Sequence, residues 1–213
     1  GNGEPWDLAR ALPDGVQFWL PSPGRGAGTW YRGTADALYQ NRELIAESGS
    51  DRVLVLAGDH VSQQDYRPLL AFHEERGADL TVGAMAVPPE AVQRFGMMDV
   101  ESSGRVVAFA EKPDHTQSTW GSLGIYVFNT EFLLRHLDGT AHDFGRDLIP
   151  VMVVRDRVFA YRLNGYWADI GTLHAYWATN LALLDEPQAL ALNDAGGLEL
   201  DRRVSTDENH RKT

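Results

Sequence analysis

Residues 53–66, VLVLAGDHVSQQDY, pass from an apolar run to a glycine, a carboxylate and a histidine, and then into polar residues. The run Val53–Ala57 has the length and the Val/Leu content of a central strand buried on both faces, as in sheets covered by helices on each side. It ends on Gly58 and Asp59. Open α/β sheets bind ligands beyond the carboxyl ends of their strands, which gives a carboxylate at that point a chemical reading. An aspartate after a glycine is also a common turn former. The stretch alone leaves both readings open.

The flanking sequence repeats the alternation. TADALYQNRELIAES (34–48) carries Ala35, Leu38, Leu44 and Ile45 at helical spacing and stops at Gly49, and Val16–Leu20 forms a short apolar run before it. After Asp59 the pattern predicts a helix over Asp65–Arg76 ending at Gly77, and a strand over Leu80–Val87 closed by Pro88 and Pro89. Residues 96–110 read as a hairpin turning at Ser102–Gly104. SLGIYVF (122–128) reads as a buried strand followed by a short helix. FGRDLIPVMV (144–153) reads as a helix capped by Asp143. VFAYRL (158–163) is the next strand, and YWADIG (166–171) a turn into a final helix over Thr172–Leu184. Strands alternating with helices predict an α/β fold, with a Rossmann-like, mostly parallel sheet flanked by helices. The expected organisation is a connecting segment over 1–29, one α/β domain over 30–186, and a polar tail over 187–213.

Composition narrows the function classes. The formal charge of −11 argues against nucleic acid as a partner, because phosphate backbones require clustered Lys and Arg. No apolar run approaches the roughly 18–20 residues that span a bilayer, and Gly1–Arg10 lacks the layout of a secretory signal. There are no cysteines, which excludes disulfides and thiolate metal sites. A cytoplasmic location without membrane attachment is the expectation. Lys112 and Lys212 are the only lysines among 19 basic residues, which draws notice to Lys112 inside the domain.

Seven segments then fall in a fixed order: WYRGTADALYQN (30–41), LAGDH (56–60), FGMMDV (95–100), FAEKP (109–113), SLGIYVF (122–128), HDFGRDLIP (142–150) and YWADIGTLHAYWATN (166–180). In that order the chain resembles the ADP-glucose pyrophosphorylase (glucose-1-phosphate adenylyltransferase) family over roughly residues 5–186. The resemblance implies a sugar nucleotidyltransferase that joins ATP and glucose 1-phosphate to give ADP-glucose and pyrophosphate, with Mg²⁺, in support of glycogen synthesis. It implies that Asp59 and Asp169 share the metal. Read without the family, Asp169 caps the following helix, a role that can coexist with metal binding. It implies that Lys112 holds the phosphate of glucose 1-phosphate and Glu111 the sugar hydroxyls. Read without the family, that lysine is a solvated residue at a hairpin exit. Ser122 matches a residue near the glucose, and Tyr31, Gly33 and Thr34 match the segment beside adenine and ribose. HDFGRD is expected to order the substrate loop, with His60 a supporting group rather than a base.

The family also opens with a first strand and a glycine-rich loop of the form G-G-x-G-T-x-L. The chain carries no segment of that form; GRGAG (24–28) matches a connecting loop instead. Relative to the family, the chain is expected to begin inside the domain and to stop before the family's C-terminal β-helix. Three readings follow: an adenylyltransferase, a binding or partner module without turnover, or a transferase using UTP or dTTP. Self-association is left open.

Overall fold

The computed structural model describes Trp19 and residues 30–185. The expected connecting segment 1–29, Trp19 apart, and the polar tail 187–213 lie outside the described residues. The described residues divide into two compact units. One holds the residues up to Leu56 together with Leu69–Arg162, and the other holds Ala57–Pro68 and the residues from Leu163 onward.

The first unit is built on a six-stranded sheet. Its strands are β1 (Arg52–Leu56), and, after the short strand β2 (His60–Ser62) of the other unit, β3 (Leu80–Ala86), β4 (Gly96–Val100), β5 (Val106–Glu111), β6 (Trp120–Asn129) and β7 (Val158–Arg162). The strand order is β5-β4-β6-β3-β7, and β1 lies alongside β6 as well. The α/β class holds, with a mixed sheet in place of a mostly parallel one. β3 and β7 pair parallel, and the remaining pairings of this sheet are antiparallel. The pairings set β1, β3, β4 and β7 in one direction. β6 leaves the β4–β5 hairpin side reversed and inserts between β1 and β3, so these two co-directional strands are separated by an opposed one. Alternation of strands and helices predicts neither the reversal of β6 nor which strands become its neighbours.

β1 also departs from its expected surroundings. Val53–Val55 are half-buried and Leu56 is 46% exposed, so the strand is not buried on both faces. It pairs with β6 through Arg52↔Asn129 to Leu56↔Ile125, and its other edge has no strand partner among the described residues. The helix expected over 34–48 is two, α1 (Thr34–Gln40) and α2 (Arg42–Glu47), broken at Asn41. Other local signals hold. Helix α3 (Arg67–Glu75) ends before Gly77, whose φ of 55° is the left-handed value that glycine adopts freely. The hairpin turns with Glu101 N–H donating to Arg105 O at 2.9 Å. Helices α4 (Thr130–His136) and α5 (Ile149–Arg155) pack over the sheet. The core of this unit gathers Leu80, Val82, Phe128, Phe132, Leu133, Phe144, Ile149 and Met152.

The second unit contains a two-stranded ribbon absent from the sequence reading. β2 pairs antiparallel with β8 (Trp167–Asp169), placing His60 opposite Asp169 and Ser62 opposite Trp167. YWADIG is therefore strand and turn together. Helix α6 (Leu173–Asp185) follows. No helix among the described residues is long and apolar enough to cross a membrane.

Candidate functional site

The residues singled out by sequence fall into two groups, one in each unit. In the second unit, Asp59 directly precedes β2 and Asp169 ends β8. The Asp59 carbonyl accepts from Ile170 N–H at 2.9 Å, which ties the two turns together. Both carboxylates lean over Gly171. A Cβ there would sit 3.0 Å from Asp169 Oδ1 and 3.3 Å from Asp59 Oδ2. Gly171 N–H also donates to Asp169 Oδ1 at 2.7 Å. Helix α6 is capped by Thr172, whose hydroxyl accepts from Ala175 N–H at 3.1 Å. The N-terminal cap of α6 thus falls to Thr172, three residues beyond Asp169.

His60 projects from β2 with Nε2 3.6 Å from Asp59 Oδ1, and its ring meets the edge of Trp167 at 4.9 Å. Its Nδ1 is buried with no hydrogen-bond partner among the described residues. Two carboxylates converging over a bare Cα form an oxygen donor set suited to a hard divalent cation that keeps phosphates or waters as its remaining ligands. Among the described residues, no group of three or more Asp, Glu, His or Cys side chains is arranged to hold a metal ion by itself. Asp59 and Asp169 are the two protein carboxylates that would face such a cation there.

In the first unit, Glu111 closes β5 and Lys112 follows it. Lys112 has φ 46°, the one left-handed non-glycine backbone among the described residues, and its N–H donates to Phe95 O at 3.0 Å. Such a conformation costs roughly 1–3 kcal/mol and persists where surrounding structure imposes it, commonly at ligand sites. It turns Lys112 out of the strand with its side chain half exposed and Nζ 3.8 Å from Glu111 Oε1. Burial raises the Glu111 carboxyl above the ordinary range. Lys112 opposes the rise, Asp143 adds to it, and Arg146 opposes it.

Ser122 lies in β6 at a bulge, where the register with β3 shifts between Gly83 and Ala84 and Gly124 takes φ 67°. Bulges of this kind re-aim side chains next to active sites. The Ser122 hydroxyl donates to Tyr126 Oη at 3.3 Å. Burial pushes the Tyr126 phenol up to about 12, Ser122 opposes the rise, and Glu111 and Asp143 add to it. Tyr126 is a neighbour of Ser122 that the sequence reading passed over, because YVF looks like ordinary strand.

WYRGTADALYQN and HDFGRD dock onto each other. The His142 carbonyl accepts from Ala35 N–H at 2.9 Å and Asp36 N–H at 3.2 Å, satisfying the free donors at the start of α1. A Cβ on Gly33 would overlap that carbonyl, so only glycine permits this cap. Thr34 Oγ1 donates to Asp143 Oδ2 at 3.2 Å and accepts from Phe144 N–H at 3.1 Å. Asp143 Oδ1 accepts from Arg146 N–H at 3.0 Å, the expected cap, here over a π-helical turn at Phe144–Leu148. Asp36 is buried. Burial would raise its carboxyl, but hydrogen bonds from the Arg32 side chain and N–H and from Gln40 outweigh that and hold it at about 2. Tyr31 stands apart from this docking. Its hydroxyl donates to Trp19 O and accepts from Asn41 Nδ2, both at 2.9 Å.

Known proteins resemble this chain over most of its length. The sequence model of the family described as nucleotidyl transferase matches residues 16–186. A glucose-1-phosphate adenylyltransferase of Thermotoga neapolitana is 45% identical over 192 residues, 86% of this chain and 45% of that protein. One of Thermomicrobium roseum is 45% identical, covering 91% of this chain and 47% of that protein. One of Halalkalibacterium halodurans is 42% identical, covering 91% of this chain and 52% of that protein. The chain spans about half the length of the curated relatives it matches.

Proposed function

Because the chain belongs to the nucleotidyl transferase family, we propose that it transfers the adenylyl group of ATP to glucose 1-phosphate, giving ADP-glucose and pyrophosphate in the cytoplasm for α-glucan synthesis. The observation that carries this reading is the convergence of Asp59 and Asp169 over Gly171. Asp59 and Asp169 would hold Mg²⁺, which when bound supplies neutralisation of the charge that develops on the phosphates.

The chain's own residues bind and orient. Lys112, turned out of β5 by its backbone, places a compact positive charge for the phosphate of glucose 1-phosphate. Glu111 accepts hydrogen bonds from sugar hydroxyls, and Ser122 supports the same subsite. Tyr31, Gly33 and Thr34 flank adenine and ribose, with Gly33 and Thr34 fixed by their docking onto His142 and Asp143. A phosphate oxygen of glucose 1-phosphate attacks the α-phosphorus of ATP in line. The bond from that phosphorus to the β-bridging oxygen breaks, and pyrophosphate departs with the electron pair. The attacking oxygen is already ionised, so no general base is needed and catalysis is largely positioning and charge stabilisation.

The test is pyrophosphate release from ATP, glucose 1-phosphate and Mg²⁺ by the chain and by Asp59→Asn, with UTP and dTTP as competing donors. Release with ATP that disappears in the variant supports the proposal. No release from the folded chain, or an equal rate from Asp59→Asn, sinks it.

A further inference from the structure

The Glu111 carboxylate sits in a slot made by two glycines from different elements. Gly96 faces it across the β4–β5 ladder, and a Cβ there would lie 2.9 Å from Glu111 Oε2. Gly145, in the π-helical turn, closes the other side. A Cβ there would overlap Oε2 and stand 2.8 Å from Cδ. Oε2 is thus wedged between two bare Cα atoms, and Oε1 is left facing Lys112 Nζ at 3.8 Å. The same turn brings Asp143, whose Oδ1 would lie 3.4 Å from a Cβ on Gly145. π-Helical turns are rare and recur at functional sites, where they re-aim the backbone.

We propose that Gly145 is a positioning residue: its missing side chain lets Glu111 fold back into the slot, which fixes the direction of Oε1 and so the specificity of the corner for a sugar phosphate. The claim rests on the proposed function for the identity of the ligand, and on the geometry alone for the slot. The two glycines differ in what a methyl group would strike. At Gly96 it would also overlap the ring of Phe109, which is held in the sheet. At Gly145 the obstruction is the far end of the Glu111 side chain, which can swing away. Gly145→Ala therefore leaves the fold intact and evicts the carboxylate.

The experiment uses the full chain as wild type, Gly145→Ala, Glu111→Ala and the double variant. Carbon-detected NMR follows the Glu111 carboxyl through a pH titration without ligand, and calorimetry measures glucose 1-phosphate and ATP binding. In wild type the carboxyl titrates above the ordinary range, and in Gly145→Ala it moves back toward it. Affinity for glucose 1-phosphate falls about tenfold or more, the loss of one hydrogen bond to a charged group, with ATP affinity unchanged. In the Glu111→Ala background the glycine substitution adds nothing, which a general effect on the fold would not produce. An unmoved titration overturns the slot. A moved titration with unchanged glucose 1-phosphate affinity overturns the positioning role. An equal loss in both backgrounds assigns Gly145 an effect independent of Glu111 and overturns the proposal. Wild type that shows the raised titration but no glucose 1-phosphate binding rejects the sugar-phosphate reading itself, and the positioning claim with it.

Discussion

In the first unit, Glu111 is placed by what crowds it: two glycine Cα atoms, the left-handed backbone of Lys112 and a π-helical turn, all backed by a packed core. In the second unit, Asp59 and Asp169 are placed by main chain. The three-residue ribbon β2–β8 and the Ile170 N–H to Asp59 O bond set them together, and Gly171 N–H orients Asp169. The cluster around Leu80 and Phe128 and a smaller one of Val87, Val92 and Met97 lie in the first unit. Where a core exists, side-chain packing can aim a charged group. For Asp59 and Asp169, hydrogen bonds of the backbone do so, and the Asp59 side chain is 63% exposed. On the proposed function that accessibility serves the cation, which must arrive with part of its hydration shell.

The comparison breaks first at the carboxylates. On the proposed function, Asp169→Asn lowers turnover by about a thousandfold, roughly 4 kcal/mol of barrier, while the melting temperature hardly moves. Steady-state kinetics beside a thermal melt checks both halves. A variant that melts early while retaining turnover would make Asp169 a structural member of the ribbon.

A second contrast sets glycine against glycine. Gly33→Ala drives a methyl group into the His142 carbonyl, a backbone atom that also caps α1, and should cost about 1–3 kcal/mol of stability in urea unfolding. Gly171→Ala meets only carboxylate oxygens, which can turn aside. Its stability should stay within about 0.5 kcal/mol of wild type while turnover falls about tenfold. Equal stability losses would erase the distinction between a packed and a main-chain scaffold.

The parts of the molecule legible in the sequence are those with local causes. The β4–β5 hairpin, the stop at Gly77 and the Asp143 cap each follow from residues within a few positions of one another. The β2–β8 ribbon has no such signature. It unites His60–Ser62 with Trp167–Asp169, two three-residue strands too short for periodicity and far apart in the chain. The reversed insertion of β6 is likewise a choice of neighbour. The charged candidates could be singled out from sequence, but the glycines packed against them could not. Gly145 and Gly171 look like turn formers until the carboxylates above them are seen. The break at Asn41 escaped because Leu44 and Ile45 keep helical spacing across it.

The smallest expected effect lies inside the packed unit, at its buried histidine. His73 is 1% exposed, with Nδ1 2.8 Å from Thr81 Oγ1 and Nε2 3.1 Å from Asn129 Oδ1. Asn129 donates its amide to Ala78 O at 2.8 Å, which points its oxygen at the ring. The neutral imidazole therefore donates from Nε2 and accepts the Thr81 hydroxyl at Nδ1. Burial lowers the His73 pKa, the Asn129 bond opposes that, Arg52 adds to the lowering and Asp79 opposes it. The unfolded chain thus takes up its proton at higher pH than the folded one. Stability is fully present above the ordinary value near 6.5 and falls as the pH drops from there toward the lowered folded value. Urea unfolding at pH 7.5 and 5.5 should show a smaller loss in His73→Gln, which keeps the donor to Asn129 and cannot titrate. An equal loss in both proteins would move the acid sensitivity elsewhere and leave the core of the first unit without a titrating weak point.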